Sequence, residues 1–146
     1  MSDGAMNRAA EGTRTVVIER DYPHPPEKVW RALTEGPLIA QWLMKNDFEP
    51  AVGRKFQLRS EPVPQWDGII NCEVLVVEPL KRLSYSWGTM GLESVVLFTL
   101  TAGGGGTRLR MEHSGFPMDN DAAYKGANYG WQRFLGALEN VVAGLE

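Results

Sequence analysis

The chain has 146 residues, 43% hydrophobic and 23% charged, with a net charge of −3 at pH 7. That is the size of one ordinary domain, long enough to bury about two-thirds of its unfolded surface without a disulfide or a metal. The balance excludes disordered, collagenous and disulfide-scaffold chains, and the acidic sum argues against a nucleic-acid binder, which needs a strongly basic face.

A lone cysteine, Cys72, cannot form an internal disulfide, and two histidines with one cysteine make no zinc spacing. No run approaches the roughly 20 apolar residues of a membrane span. The expected protein is cytoplasmic, with no cofactor, no metal, no nucleic-acid partner and no membrane span. Residues 1–12 are small and polar and read as a loose tail before a single domain over 13–146.

In chain order, Thr13–Tyr22 is rich in β-branched residues and alternates as a strand does. Pro23, Pro25 and Pro26 end it, and Pro26 suits the first turn of a helix carrying Val29, Trp30, Ala32 and Leu33. Gly36-Pro37 breaks that helix, and a second short one with Trp42 spans 38–43. Strands are expected at 48–50, 55–59, 69–77, 83–87, 92–101 and 107–114, with 61–67 a loop or weak edge because it holds two prolines. Gly103 to Gly106 serves a hairpin. From Asp121 an apolar stripe of Tyr124, Ala127, Trp131, Phe134, Leu135, Leu138, Val141, Val142 and Leu145 marks one long helix. Gly126, Gly130 and Gly136 weaken it, and their use is close approach to a sheet or room beside one. An antiparallel sheet with one amphipathic helix is an α+β, two-layer design.

This order resembles the START-like, helix-grip superfamily, and within it the family of the C-terminal domain of the Hsp90 ATPase activator. Four segments carry the resemblance: Pro26-Glu27-Lys28-Val29-Trp30 through Trp42; Val74 to Trp87 with its Glu78-Pro79 turn; Gly106-Thr107-Arg108-Leu109 through Phe116; and Gly130-Trp131 with Phe134, Leu135 and Leu138. It implies a curved antiparallel sheet of six or seven strands wrapped around a long C-terminal helix, with two short helices after the first strand. It also implies an apolar cavity between sheet and helix. Relatives bind lipids, hormones or polyketides, and some are aromatase/cyclases.

The candidate ligand-binding set is Trp42, Phe48, Phe56, Trp66, Tyr85, Trp87, Met111, His113, Phe116, Tyr124, Asn128 and Trp131. Large aromatic surfaces with a few polar groups are what small-molecule sites use, yet each ring would serve a packed core as well. Trp30 and Phe134 read as pure core. His113 shares a strand face with Leu109 and Met111, where it can bond a ligand oxygen, act as an acid/base, or simply be satisfied by neighbours. Tyr85 and Asn128 are further single hydrogen-bonding positions. Cys72 reads as a small buried hydrophobe rather than a nucleophile. Three functions remain open: a binding protein for a hydrophobic, aromatic or lipid-like molecule; an enzyme using His113 for cyclisation or condensation; and a protein that docks on an Hsp90-type chaperone.

Overall fold

The computed structural model describes residues 12–145. The tail expected over 1–12 lies, but for Gly12, outside those residues.

β1 (Thr13–Tyr22) alternates as its sequence demands, with Val16, Ile18 and Tyr22 buried and Val17 and Glu19 exposed. α1 (Pro26–Thr34) and α2 (Gly36–Trp42) follow. The break between them is the extended Glu35, and Pro37 lies in the first turn of α2, where a missing N–H costs nothing. Gly36-Pro37 therefore starts the second helix rather than only ending the first.

The remaining strands are β2 (Lys45–Asn46), β3 (Lys55–Arg59), β4 (Ile69–Glu78), β5 (Arg82–Thr89), β6 (Leu92–Gly103) and β7 (Gly106–Pro117), and the chain ends in α3 (Asp121–Ala143). They form one antiparallel sheet in the order β1-β7-β6-β5-β4-β3-β2. β2 to β7 are a meander, and β1 joins at the β7 edge because α1 and α2 carry the chain across. The fold is the α+β helix grip.

The strand expected at 48–50 is absent. Pairing occurs earlier, with Lys45 opposite Arg59 and Asn46 opposite Leu58. The Asn46 side chain then donates to the carbonyls of Gly36 and Met44 and accepts the Phe48 N–H at 3.1 Å. A short polar side chain competing for backbone groups ends the strand and turns Phe48 into the core.

One face of the sheet is covered by the helices. Trp131, Leu135, Leu138 and Val142 of α3 are buried, and the Tyr22 hydroxyl donates to the Leu135 carbonyl at 2.9 Å. Asn120 caps the helix by accepting the Ala123 N–H. The other face mixes charged residues with apolar ones such as Val17, Val95 and Leu97. Arg108 pairs with Asp21, and Arg110 with Glu19 and Glu112, all at exposed positions where ion pairs add little stability.

Candidate functional site

Five of the twelve candidate residues meet around one hollow between the sheet and the first half of α3. Trp66, Trp87, His113, Phe116 and Trp131 line a cavity of about 480 Å³. The sheet supplies Ile70 from β4, Trp87 and Thr89 from β5, Leu92 from β6 and His113 and Phe116 from β7. The helix wall is small: Ala122, Ala123, Gly126, Ala127 and Gly130, closed below by Trp131 and Phe134. Residues 122, 126 and 130 lie four apart and 123 and 127 likewise, so they stack on one helix face. A Cβ added at Gly126 would meet nothing within 4 Å, and one at Gly130 only the Phe134 ring, at 3.7 Å. Gly126 is exposed and Gly130 half-buried, so neither marks a close backbone approach.

Phe116 reaches the cavity through a bulge. Alternation from Leu109, Met111 and His113 would turn residue 116 away from the helix. The register shifts where Arg14 pairs with Phe116 and Thr15 with Ser114, leaving Gly115 as the extra residue. Gly115 has φ +106, and a Cβ there would lie 3.1 Å from the Glu93 carbonyl oxygen. Only glycine fits, and the bulge aims Phe116 inward.

His113 sits at the floor, 1% exposed, and both ring nitrogens are engaged. Trp131 Nε1–H donates to Nδ1 at 2.9 Å, so Nδ1 is unprotonated and the proton resides on Nε2. Nε2–H then donates to Ser94 Oγ at 2.8 Å, and the Ser94 hydroxyl donates to the Trp87 carbonyl at 2.8 Å. Burial pushes the His113 pKa down to about 3. The imidazole is neutral and has neither a lone pair nor a proton to spare. Its ring contacts are Phe116 at 4.6 Å, Trp87 at 5.2 Å and Trp131 at 5.9 Å between centroids.

The rim is tied in the same way. Trp66 Nε1–H donates to Thr89 Oγ1 at 2.8 Å, and Thr89 Oγ1–H donates to the Ile69 carbonyl at 3.0 Å. This holds the proline-rich loop before β4 against the end of β5. Beyond Thr89, the Met90-Gly91 turn has positive φ at both residues and brings the exposed Met90 to the edge of the cavity.

The other candidates lie elsewhere. Trp42, Phe48, Phe56 and Tyr85 are core, each at most 6% exposed, and Met111 is fully buried. Phe48, Phe56 and Tyr85 form edge-to-face contacts of 5.1 to 6.1 Å, and the Trp42 indole donates to the Ala32 carbonyl. Burial holds the Tyr85 hydroxyl well above its usual pKa, so it stays protonated. Tyr124 lies beside the cavity, under the Arg14 guanidinium at 4.0 Å. Asn128 is exposed, because one residue past Ala127 is about 100° around the helix and faces solvent. Neither position lines the cavity. Phe134, expected as pure core, is half-buried and forms part of the wall, and Trp30 is also only partly buried.

Sequence reasoning missed Met44, Ile70, Leu92 and the alanines of the helix wall. The glycines at 126 and 130 were the available signal: two helix-weakening residues on the face of an otherwise apolar stripe. Cys72 is buried and its thiol is pushed up to about 12, which leaves it protonated and unreactive. Among the described residues, no group of three or more His, Cys, Asp or Glu is placed to hold a metal ion, and no helix is long and apolar enough to cross a membrane. A larger hollow, about 540 Å³, lies by the Gly104-Gly105 turn. Its walls are largely main chain of that turn with the exposed Asp21 and Arg108, so an apolar molecule has little to bury there.

The family model for Activator of Hsp90 ATPase homolog 1-like protein matches residues 23–143. Among solved structures, protein MLL2253 of Mesorhizobium loti is similar at 51% identity, over 91% of this chain and 99% of that one, with a TM-score of 0.85. DynU16, a protein of the dynemicin biosynthetic locus, is 29% identical over 89% of this chain, with a TM-score of 0.74. The match spans 47% of DynU16, about half its length. CalU16 of Micromonospora echinospora is 26% identical over 90% of this chain and 78% of its own, with a TM-score of 0.75. No curated protein matches the chain.

Proposed function

The chain belongs to the Activator of Hsp90 ATPase homolog 1-like family, and from that premise we propose that it binds a hydrophobic, ring-containing small molecule between the sheet and α3. The observation that carries this reading is the mismatch of the two cavity walls. Trp87, His113, Phe116 and Trp131 present rings, while α3 opposes them with alanine and glycine where a core would place leucine. The resulting 480 Å³ lies within the roughly 300–1,000 Å³ of ligand pockets. Affinity comes from apolar burial at roughly 25 cal/mol per Å². The similarity to DynU16, from a biosynthetic locus, is in keeping with a small-molecule occupant.

Acid–base chemistry at His113 has less support, because both nitrogens are occupied and the ring resists protonation. A chaperone-docking role is supported by the family's name alone.

An amide-resolved NMR titration with a polycyclic aromatic, a flavonoid, a sterol and a fatty acid tests the reading. Saturable shifts are expected at Trp87, Leu92, Phe116 and residues 122–131, with Phe48 and Phe56 unmoved. No saturable shift with any compound would defeat it. The docking role would then be measured as a change in the ATPase rate of a bacterial Hsp90.

A further inference from the structure

Resting on the binding role above, we infer that the occupant is an uncharged ring system that brings no ionised group between the walls. Ligands that must bring a carboxylate or other ion inside are excluded. Among the described residues, the cavity lining contains no Lys, Arg, Asp or Glu. Its polar side chains are few: those of Trp131, His113, Trp66 and Thr89 are spent on other protein groups, and among the described residues the Trp87 indole N–H is the one donor of the wall without a protein acceptor. Trp131 donates to His113, His113 to Ser94, and Ser94 to the Trp87 carbonyl. Trp66 donates to Thr89, and Thr89 to the Ile69 carbonyl. The remaining one, Ser60, is exposed to solvent. An anion drawn between these walls would lose its hydration and gain no cation and at most the Trp87 indole N–H, a large cost in an apolar site. A neutral ring gives up little water and gains the faces and edges of Trp87, Phe116 and Trp131. Shape agrees with this. The small residues of α3 leave room opposite Trp87, Phe116 and Trp131.

The decisive comparison is a matched pair of fluorescent probes, N-phenyl-1-naphthylamine and 8-anilinonaphthalene-1-sulfonate. They share one ring skeleton and differ by a sulfonate on the naphthalene ring, beside the anilino nitrogen. Titrations on the full chain follow probe emission and quenching of the tryptophans. Only binding that Gly126→Leu or Gly130→Leu removes is scored, with folding of each variant confirmed by circular dichroism. Neither position clashes with an added Cβ, and leucine favours a helix over glycine. The neutral probe is expected to bind saturably and to weaken at least about tenfold in either variant, and the sulfonate to bind the parent chain at least about tenfold more weakly. Equal or tighter binding of the sulfonate in the cavity overturns the neutral-ligand inference and leaves the binding role standing. Absence of scored binding by both probes overturns the binding role itself.

Discussion

The two ends of the sheet–helix interface hold similar aromatic groups and come to opposite results. At one end Phe48, Phe56 and Tyr85 meet edge to face, Phe98 joins them to Trp42, and every one of these rings is buried. At the other, Trp87, His113, Phe116 and Trp131 meet at comparable distances and a cavity opens above them. What differs is the opposing surface. The closed end is filled by residues such as Trp42 of α2 and Phe48 of the loop after β2, and the buried leucines of α3 lie further along that helix. The open end faces alanine and glycine. A cavity is made by what is withheld opposite the rings and not by how many rings there are.

The largest expected effect contrasts truncations at the two ends. Phe56→Ala should lose about 3–5 kcal/mol in urea denaturation, the usual cost of removing a buried ring. Phe134→Ala, at the wall of the cavity, should lose markedly less, since that ring is only partly buried. Equal losses would mean that the two ends are packed alike.

Next comes pH. His113 has an ordinary pKa of 6.5 and about 3 in the folded protein. As pH falls below 6.5 the unfolded chain takes up a proton that the native chain refuses until about pH 3. Stability from this group is therefore whole above pH 6.5 and is lost progressively between 6.5 and 3. A His113→Gln variant should be less stable at pH 7.5, yet lose less on going from pH 7.5 to 4 than the parent does. Parallel acid limbs in denaturant melts would show that His113 is not held neutral.

A smaller effect, about 1–3 kcal/mol, is expected for Trp131→Phe, which strips His113 Nδ1 of its donor inside the protein. A compensating mutation is built in: adding His113→Leu to Trp131→Phe should recover part of the loss, because both polar partners are then gone. Additive losses would argue that the pair is not coupled.

The smallest effect has the opposite sign. Gly126→Ala should stabilise the chain by up to about 1 kcal/mol, since alanine is the better helix former and its methyl meets nothing. A destabilised variant would mean that the space beside α3 is not free, and the contrast between the ends would fail.

The fold was largely legible in the chain. Period-two burial over Thr13–Tyr22 and the three-and-four spacing of α3 are local repeats set by backbone geometry. Where reading failed, a side chain had intervened. Asn46 moved a strand away from Phe48 by capturing backbone groups ten residues distant, and no local pattern reports such a partner. Of the candidate site, the rings were nameable and their allocation was not. Tyr85 and Trp87 sit two apart on one strand face, and one lies in the closed core while the other lines the cavity.

By itself, then, the sequence determined the order of elements, the buried faces and the presence of glycines where a helix has no need of them. These follow from propensity and periodicity, which act over a few residues. Only the tertiary structure decided that Gly126 and Gly130 oppose Trp87 and Phe116, that a bulge at Gly115 turns Phe116 inward, and that Trp131 and Ser94 use up both nitrogens of His113. Each of those outcomes joins residues from different elements, and such distances are set by how the whole sheet and helix pack.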